Sequence, residues 1–594
     1  MSLSYQQTLF LFLITICCTT NFVQCDLESH HYEDGEKLHF YQNKIGKLEN
    51  PQQTYEYSRL PFCQRKHEDF NLPKESLGSS FQGNKLFYSG MKARFKKDTK
   101  YSVLCKQTLT QDDVEKFTTA VQENFWFEMY FDSLPIWGMI GKVDKENEQV
   151  SLFTHKSFTI LFNDDRVIEV NLVNEGLVSI IPNEELVFTY SINWVETDKT
   201  FSERFEKYLN NDFFHHKIHW FSLVNSFVMV LIIVVIVFII LSNILKKDYA
   251  KFTQDMYDYE NIFENGFDTE FIDETGWKQL SGEIHRIPSQ LTFLASLFGI
   301  GIQNLVIIIL FIIINLIGQF YQHRGSSANI IIGVFIVSSP VSGYISSAYY
   351  AYNRATEWKK TLAITILFQP VTYFIIIFFL NLVSTFNKTT SMVPFRAMVI
   401  LVLLWLFLCV PLTVVGNFFG RNWNIFDTSK LRIISKTNPK PIPTKRWYLQ
   451  SWFLQLCGGF LPFLSILIEL YFLMTSFWNF KFHYLFGFIF LVLVILVIVI
   501  SSVSVVIIYI FLNSGDYKWQ WMAFLSSAST SLYVWLYSFF YFFTRTAMSG
   551  FFQTSFYFGY MTVFCIFFGL ICGSIGLISS RIFIIQIYKN LKID

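Results

Sequence analysis

Hydrophobic positions follow two regimes along this chain. Over residues 26–220 they alternate with polar positions in short stretches, and from Phe221 onward they run on in long blocks. The alternating segments Ser151–Phe162, Arg166–Val173 and Leu186–Glu196 are rich in β-branched and aromatic residues, the mark of half-buried strands. Asn163-Asp164-Asp165 and Pro182-Asn183-Glu184 stand between them as turns. Asp112–Trp126 changes period: after a polar start, Phe117, Val121 and Phe125 fall at helical spacing. The long blocks are Phe221–Leu245, Leu291–Ile317, Ala328–Tyr349, Thr361–Val383, Ala397–Phe419, Ser451–Phe477, Phe486–Phe511, Ala523–Phe543 and Phe556–Ser580. Each holds about 20 residues or more, enough at about 1.5 Å per residue to cross a hydrocarbon core of about 30 Å. The pattern predicts a mixed fold: a mostly-β, sandwich-like lumenal domain followed by an all-α bundle of nine transmembrane helices.

Residues 1–25 read as a signal peptide. Leu9–Cys17 is apolar but too short to span, and small or polar residues follow it. The segment before it lacks Lys and Arg, so an uncleaved anchor is the alternative; cleavage is expected between Thr20 and Asp26. An exported N-terminus and an odd number of spans put the C-terminus in the cytosol. Loop charge points the same way. With residues 26–220 in the lumen, the cytosolic loops carry 18 Lys and Arg and the lumenal loops four, namely Arg324, Lys388, Lys481 and Arg545, as the positive-inside rule requires. The organisation expected is therefore a lumenal β-rich domain at 26–220, a first helix at 221–245, a cytosolic acidic loop at 246–290, eight helices within 291–587 and a tail at 588–594.

The net charge of +1 gives no reason to expect a nucleic-acid partner; the lipid bilayer is the partner the apolar blocks demand. Nine cysteines divide by location. Cys17, Cys18 and Cys25 lie in or beside the signal, and Cys409, Cys457, Cys565 and Cys572 lie in spans. Cys63 and Cys105 remain for the exported domain, where an oxidising lumen favours their pairing. The sequon Asn387-Lys388-Thr389 falls in a predicted lumenal loop and makes Asn387 a candidate glycan site. The loop at 252–274 is dense in Asp and Glu and reads as a solvated linker or an adaptor-binding segment.

No nucleotide loop, HExxH, CxxC or Gly-x-Ser-x-Gly motif occurs, so no catalytic residue, cofactor or metal site is assigned. Glu469 is the residue that asks for an explanation. It lies within the sixth span, about 12 Å from the lumenal end by helix rise, where a carboxyl faces protein or a wet cavity. Tyr471 is its neighbour, and Arg545, at the lumenal end of the eighth span, is within conceivable reach. A proton- or cation-linked site, a polar clamp on another protein's helix, and a buried pair or protonated acid are the competing readings. His215, His216 and His219 precede the first span at a level where His and Trp serve as interface anchors, with metal binding the less favoured reading. Small residues recur in spans at Gly299, Gly301, Ser338–Ser347, Gly458, Gly459, Gly569, Gly573 and Gly576. They allow close helix packing, or a groove for a client helix.

Several ordered segments resemble a known family. They include Leu60-Pro61-Phe62-Cys63, Arg166-Val167-Ile168-Glu169-Val170-Asn171, His219-Trp220-Phe221-Ser222, Thr275-Gly276-Trp277-Lys278, Gly299-Ile300-Gly301-Ile302-Gln303 and Ser342-Gly343-Tyr344. Leu461-Pro462-Phe463, Ile468-Glu469-Leu470-Tyr471, Asp516-Tyr517-Lys518-Trp519, Tyr557-Phe558-Gly559-Tyr560 and Lys592-Ile593-Asp594 continue the series. Together they resemble the transmembrane nine superfamily, the nonaspanins. The resemblance implies a Golgi or endosomal protein that sorts other membrane proteins and delivers them to the surface, with ties to adhesion and phagocytosis. It implies client proteins held through their transmembrane helices, and coat proteins held through a Lys-x-Asp tail, here Lys592 and Asp594. Leu77-Gly78 matches a family Leu-Gly motif only in part, because Ser79 and Ser80 stand where an acidic residue is usual. A transporter or channel using Glu469 is the alternative from another class.

Overall fold

The computed structural model describes residues 30–63, 76–144, 149–205, 207–208, scattered positions between 228 and 250, 276–280, 283–318, 325–353, 357–423, 441–478 and 486–588. The signal segment, the histidines at 215–219, the acidic stretch at 252–274 and the tail from 589 lie outside the described residues.

Among the described residues, ten strands build the N-terminal domain: β1 (Lys37–Lys47), β2 (Thr54–Glu56), β3 (Phe87–Arg94), β4 (Thr99–Thr108), β5 (Phe125–Phe131), β6 (Leu134–Met139), β7 (Gly141–Val143), β8 (Val150–Asn163), β9 (Arg166–Ser179) and β10 (Glu185–Glu196). One sheet runs β2-β1-β5-β6 with β3 also on β1; the other runs β4-β10-β8-β7 with β9 also on β8. All pairings are antiparallel except β8 with β10. The three predicted strands are β8, β9 and β10, with β9 continuing six residues past Val173. Their alternation sends Phe158, Ile160, Val170, Tyr190 and Ile192 into one core that the first sheet shares through Phe40, Phe127 and Phe131. Phe40 and Phe158 meet there at 4.5 Å between ring centroids.

A one-turn helix, α1 (Leu77–Phe81), precedes β3, and α2 (Gln111–Gln122) carries the predicted helix. Thr110 and Asp113 close a capping box at its start. It ends sooner than the periodicity suggests. Asn124 takes a left-handed backbone at φ 51°, a usual helix stop, and Phe125 and Trp126 open β5 instead.

Among the described residues from Leu291 on, nine helices follow: α3 (Leu291–Ile317), α4 (Ser326–Tyr352), α5 (Trp358–Asn387), α6 (Phe395–Asn422), α7 (Ser451–Ser465), α8 (Leu467–Trp478), α9 (Phe486–Asn513), α10 (Trp519–Arg545) and α11 (Phe551–Tyr588). Six of them, α3 to α6, α9 and α11, are long and apolar enough to cross a membrane, and α7 with α8 makes a seventh span bent by 68°. α10 is long enough but diluted by Ser526, Ser527, Ser529, Thr530 and Ser531. Of the predicted first span, Val234–Ile244 is described as a short apolar helix. The described residues therefore do not establish nine spans. Two irregularities have prolines nearby. Pro462 precedes the α7–α8 break, and a π turn at Trp405–Cys409 in α6 comes just before Pro411. Proline lacks an N–H and crowds the carbonyl four residues back, which a wider turn relieves.

The β domain docks on one end of the bundle. Thr390 N–H donates to Thr54 O, Ser391 Oγ donates to Gln52 O, and Asn50 exchanges hydrogen bonds with Ser549. Gly78 N–H donates to Asn329 Oδ1 at the start of α4. At the other end, residues 276–280 and 283–290 pack under the helices. Buried Trp277 lies 5.2 Å from Tyr588, Trp519 Nε1 donates to Ile284 O, and Lys445 pairs with Asp516. The described loops with lumenal charge assignments are thus on the β-domain end, and those with cytosolic assignments are opposite.

Candidate functional site

Glu469 occupies the first turn of α8 and is 3% exposed, and neither carboxyl oxygen has a hydrogen-bond partner. Arg545 does not reach it. The Arg545 guanidinium sits 5.8 Å from the centroid of the Tyr471 ring, which itself packs on Tyr541 of α10. The expected Glu469–Arg545 contact fails for a geometric reason. Residues two apart on a helix point about 200° apart, so a Tyr471 turned to α10 leaves Glu469 on the far side. Phe472, one turn beyond Glu469, packs with Phe488 of α9. The three predicted residues therefore form two places: a Tyr471–Arg545 contact, and a solitary carboxyl.

The small-residue faces are taken up inside the chain. Gly299 abuts Ser342 and Ser346 of α4, Gly301 abuts Leu570 and Ser574 of α11, and Gly458 and Gly459 abut Ser526, Ser529 and Thr530 of α10. Gly569, Gly573 and Gly576 meet Ser531, Phe524 and Ser527 of α10. On these glycine faces the structure fits the reading of close helix packing and leaves no room for a client helix. An added Cβ at Gly343 would stand 2.1 Å from Thr413 O, and one at Gly416 would stand 2.0 Å from Pro340 O; this crossing clamps α4 to α6.

That clamp frames a polar place that the sequence reading passed over. A narrow cleft is lined by Gln303 of α3, Ser339 and Ser342 of α4, Thr365 and Gln369 of α5, and Cys409 and Thr413 of α6, with Phe335, Ile366, Pro370, Trp405 and Val410 completing it. Gln303, Ser339 and Cys409 each stand roughly 20 Å from both ends of their helices by helix rise. The cleft is therefore at mid-depth, and the π turn of α6 forms part of its wall. Gln369 Nε2 donates to Asn304 Oδ1 at 3.0 Å and to Tyr373 OH at 3.3 Å. Asn304 Nδ2 and Asn417 Nδ2 are buried without partners. No charged side chain lines the cleft. The available signal was amides at mid-span, since polar groups at that depth are costly; only the fold brings four separate spans to one point.

In the β domain, Cys63 and Cys105 form a disulfide with Cα atoms 5.9 Å apart. Lys156 Nζ donates to Tyr57 OH at 2.9 Å and lies 4.3 Å from the centroid of Phe127. Burial among these rings pushes its ammonium down to about 7. Asp132 and Arg204 form a buried ion pair at 3.0 Å, with His30 and Tyr32 also on Asp132. Asn387 ends α5; its amide donates to Val383 O, and Thr389 of the sequon is buried against Ser384. Lys592 and Asp594 lie outside the described residues. No group of three or more His, Cys, Asp or Glu suited to a metal occurs among the described residues.

Comparison with known proteins supplies the remaining context. The family model described as Endomembrane protein 70 matches residues 54–551. Transmembrane 9 superfamily member 3 of Arabidopsis thaliana is 34% identical, over 96% of this chain and 96% of its own length. Transmembrane 9 superfamily member 1 of Mus musculus is 32% identical over 95% of this chain and 94% of its own. A Dictyostelium discoideum protein named as a candidate phagocytic receptor, 1b, is 32% identical over 99% of this chain and all of its own. No solved structure matches.

Proposed function

The chain belongs to the transmembrane nine superfamily, the Endomembrane protein 70 family, and from that membership we propose that it sorts other membrane proteins in Golgi and endosomal membranes and promotes their delivery to the surface. It works without catalysis: client proteins are held through their transmembrane helices, and coat proteins take hold of the Lys592/Asp594 tail. The observation that carries the reading is similarity over nearly the whole chain, β domain and helices alike. The name of the Dictyostelium relative supports a consequence for phagocytosis, and a consequence for adhesion is part of the same proposal. The chain crosses the membrane nine times, with the N-terminal domain lumenal and the tail cytosolic; the loops bonded to the β domain are those the charge count assigns to the lumen. Proximity labelling from the intact protein, compared with a Lys592→Ala/Asp594→Ala variant and imaged in parallel, tests it. Coat subunits and multipass proteins should be labelled by the intact chain, and the variant should lose the coat and leak to the surface. Unchanged neighbours and location would refute the tail's role.

A second reading rests on Glu469. A carboxyl without partners beside a 68° break in its span is also what a proton- or cation-coupled transporter uses. Glu469→Gln in reconstituted vesicles should abolish coupled flux if this reading holds, and leave client delivery intact if the first does.

A further inference from the structure

We propose that the mid-depth cleft between α3, α4, α5 and α6 is the client-binding site, and that it takes one uncharged amide or hydroxyl side chain of a transmembrane helix entering between α5 and α6. This rests on the sorting reading and names its site and its ligand chemistry.

The chemistry of the walls selects the occupant. Ser339, Ser342, Thr365 and Thr413 each donate their hydroxyl proton to a carbonyl of their own helix, at 2.8–2.9 Å. Their oxygen lone pairs remain to accept, so the cleft presents mainly acceptors to a visitor. A hydrogen-bond donor fits it. A Lys or Arg would find no carboxylate among the lining residues, and an Asp or Glu no cation, so the donor is uncharged. The cleft's enclosed space is little more than that of a water molecule, which excludes a sizeable free solute and leaves room for the tip of one side chain reaching in from a helix.

The position selects the route. Buried polar groups at mid-bilayer cannot draw on bulk water, so a partner must come from within the membrane. α5 and α6 are the lipid-facing pair: 11% of the apolar window of each is buried, against 44–61% in the other four unbroken spans. Ile366, Pro370, Trp405 and Val410 on the cleft's rim are half-buried, and their neighbours Leu367, Val371 and Leu406 are each 46% exposed. The clamp at Gly343 fixes α6 to α4 and leaves the α5–α6 side to admit a helix. The apolar flanks of that helix would lie along these residues.

The test uses the full chain in membranes with a photo-crosslinking residue at Ile366. The probe is a single-span reporter with a Leu-rich transmembrane helix carrying Asn at its centre; all-Leu and central-Lys helices are the comparisons. Crosslinking to the Asn helix should exceed the all-Leu helix about three- to thirty-fold, the range that interhelical hydrogen bonds give in membranes. Gln369→Leu with Thr413→Val should remove the difference, and Thr413→Ser, which keeps the hydroxyl, should retain it. Equal crosslinking of Asn and all-Leu helices, preference for Lys, capture of lipid alone, or an Asn preference that survives the double variant would each overturn the proposal. Surface delivery of the same reporter is scored in cells with and without the chain. Delivery that depends on the chain but not on Gln369 and Thr413 overturns the site and leaves the sorting reading standing. Asn-selective crosslinking lost in the double variant, with delivery indifferent to the chain, keeps the site and removes the sorting role.

Discussion

Replacing Glu469 by Leu should stabilise this protein, and replacing it by Gln should change little. The side chain is 3% exposed and both oxygens lack partners. A buried polar group left unsatisfied costs about 1–3 kcal/mol, and Leu of similar length removes that cost. Gln retains an unsatisfied polar head, so Glu469→Gln should stay within about 0.5 kcal/mol of the parent. If the carboxyl instead served a hidden buried pair, its removal would cost about 3–5 kcal/mol. The two cases differ in sign, so precision is not limiting. Cys565 and Cys572 of α11 are buried thiols, and their labelling reports unfolding of the purified full chain in detergent as denaturant rises. A later midpoint for Glu469→Leu than for Glu469→Gln is expected; an earlier one would refute the account of a solitary carboxyl. Retained stability with lost coupled flux in the Gln variant would favour the transporter reading.

Three further outcomes follow from the β domain. Lys156 has its proton affinity lowered to about 7 from an ordinary 10.5, so between these values the unfolded chain binds more protons and stability rises with pH; Lys156→Met should flatten that slope in melts from pH 7 to 10, and an unchanged slope would remove the burial argument. Asp132→Ala leaves buried Arg204 without its anion and should cost about 3–5 kcal/mol, read as earlier proteolysis of the β domain in intact membranes; resistance equal to the parent would contradict it. Cys63→Ser with Cys105→Ser opens a link across 42 positions and should lower stability by about 2–4 kcal/mol, in the same denaturant series; no loss would mean that the pairing constrains little.

Local periodicity carried far in this chain. β8 and β10 could be read within a residue at each end because one face of each is buried, and the bundle announced itself through apolar length. What could not be read depends on partners distant in sequence. Nothing local shows that β8 pairs in parallel with β10 while β9 lies on it antiparallel. Helical spacing carried the predicted α2 through Phe125, but that residue's burial comes from β5. Arg545 and Glu469 looked close along the helix axis, but Arg545 sits over Tyr471, which is turned toward α10. The cleft is assembled from residues between 303 and 413, each unremarkable as a single polar residue in an apolar run. The glycines were visible as packing signals, but which faces they seal was not.

Surface proteomics on cells depleted of this chain, with restoration by the intact protein, tests the sorting claim most directly. The account predicts that a defined set of multipass proteins falls at the surface while their total amounts persist inside the cell, and that the intact chain restores them. A surface proteome unchanged by depletion would contradict it.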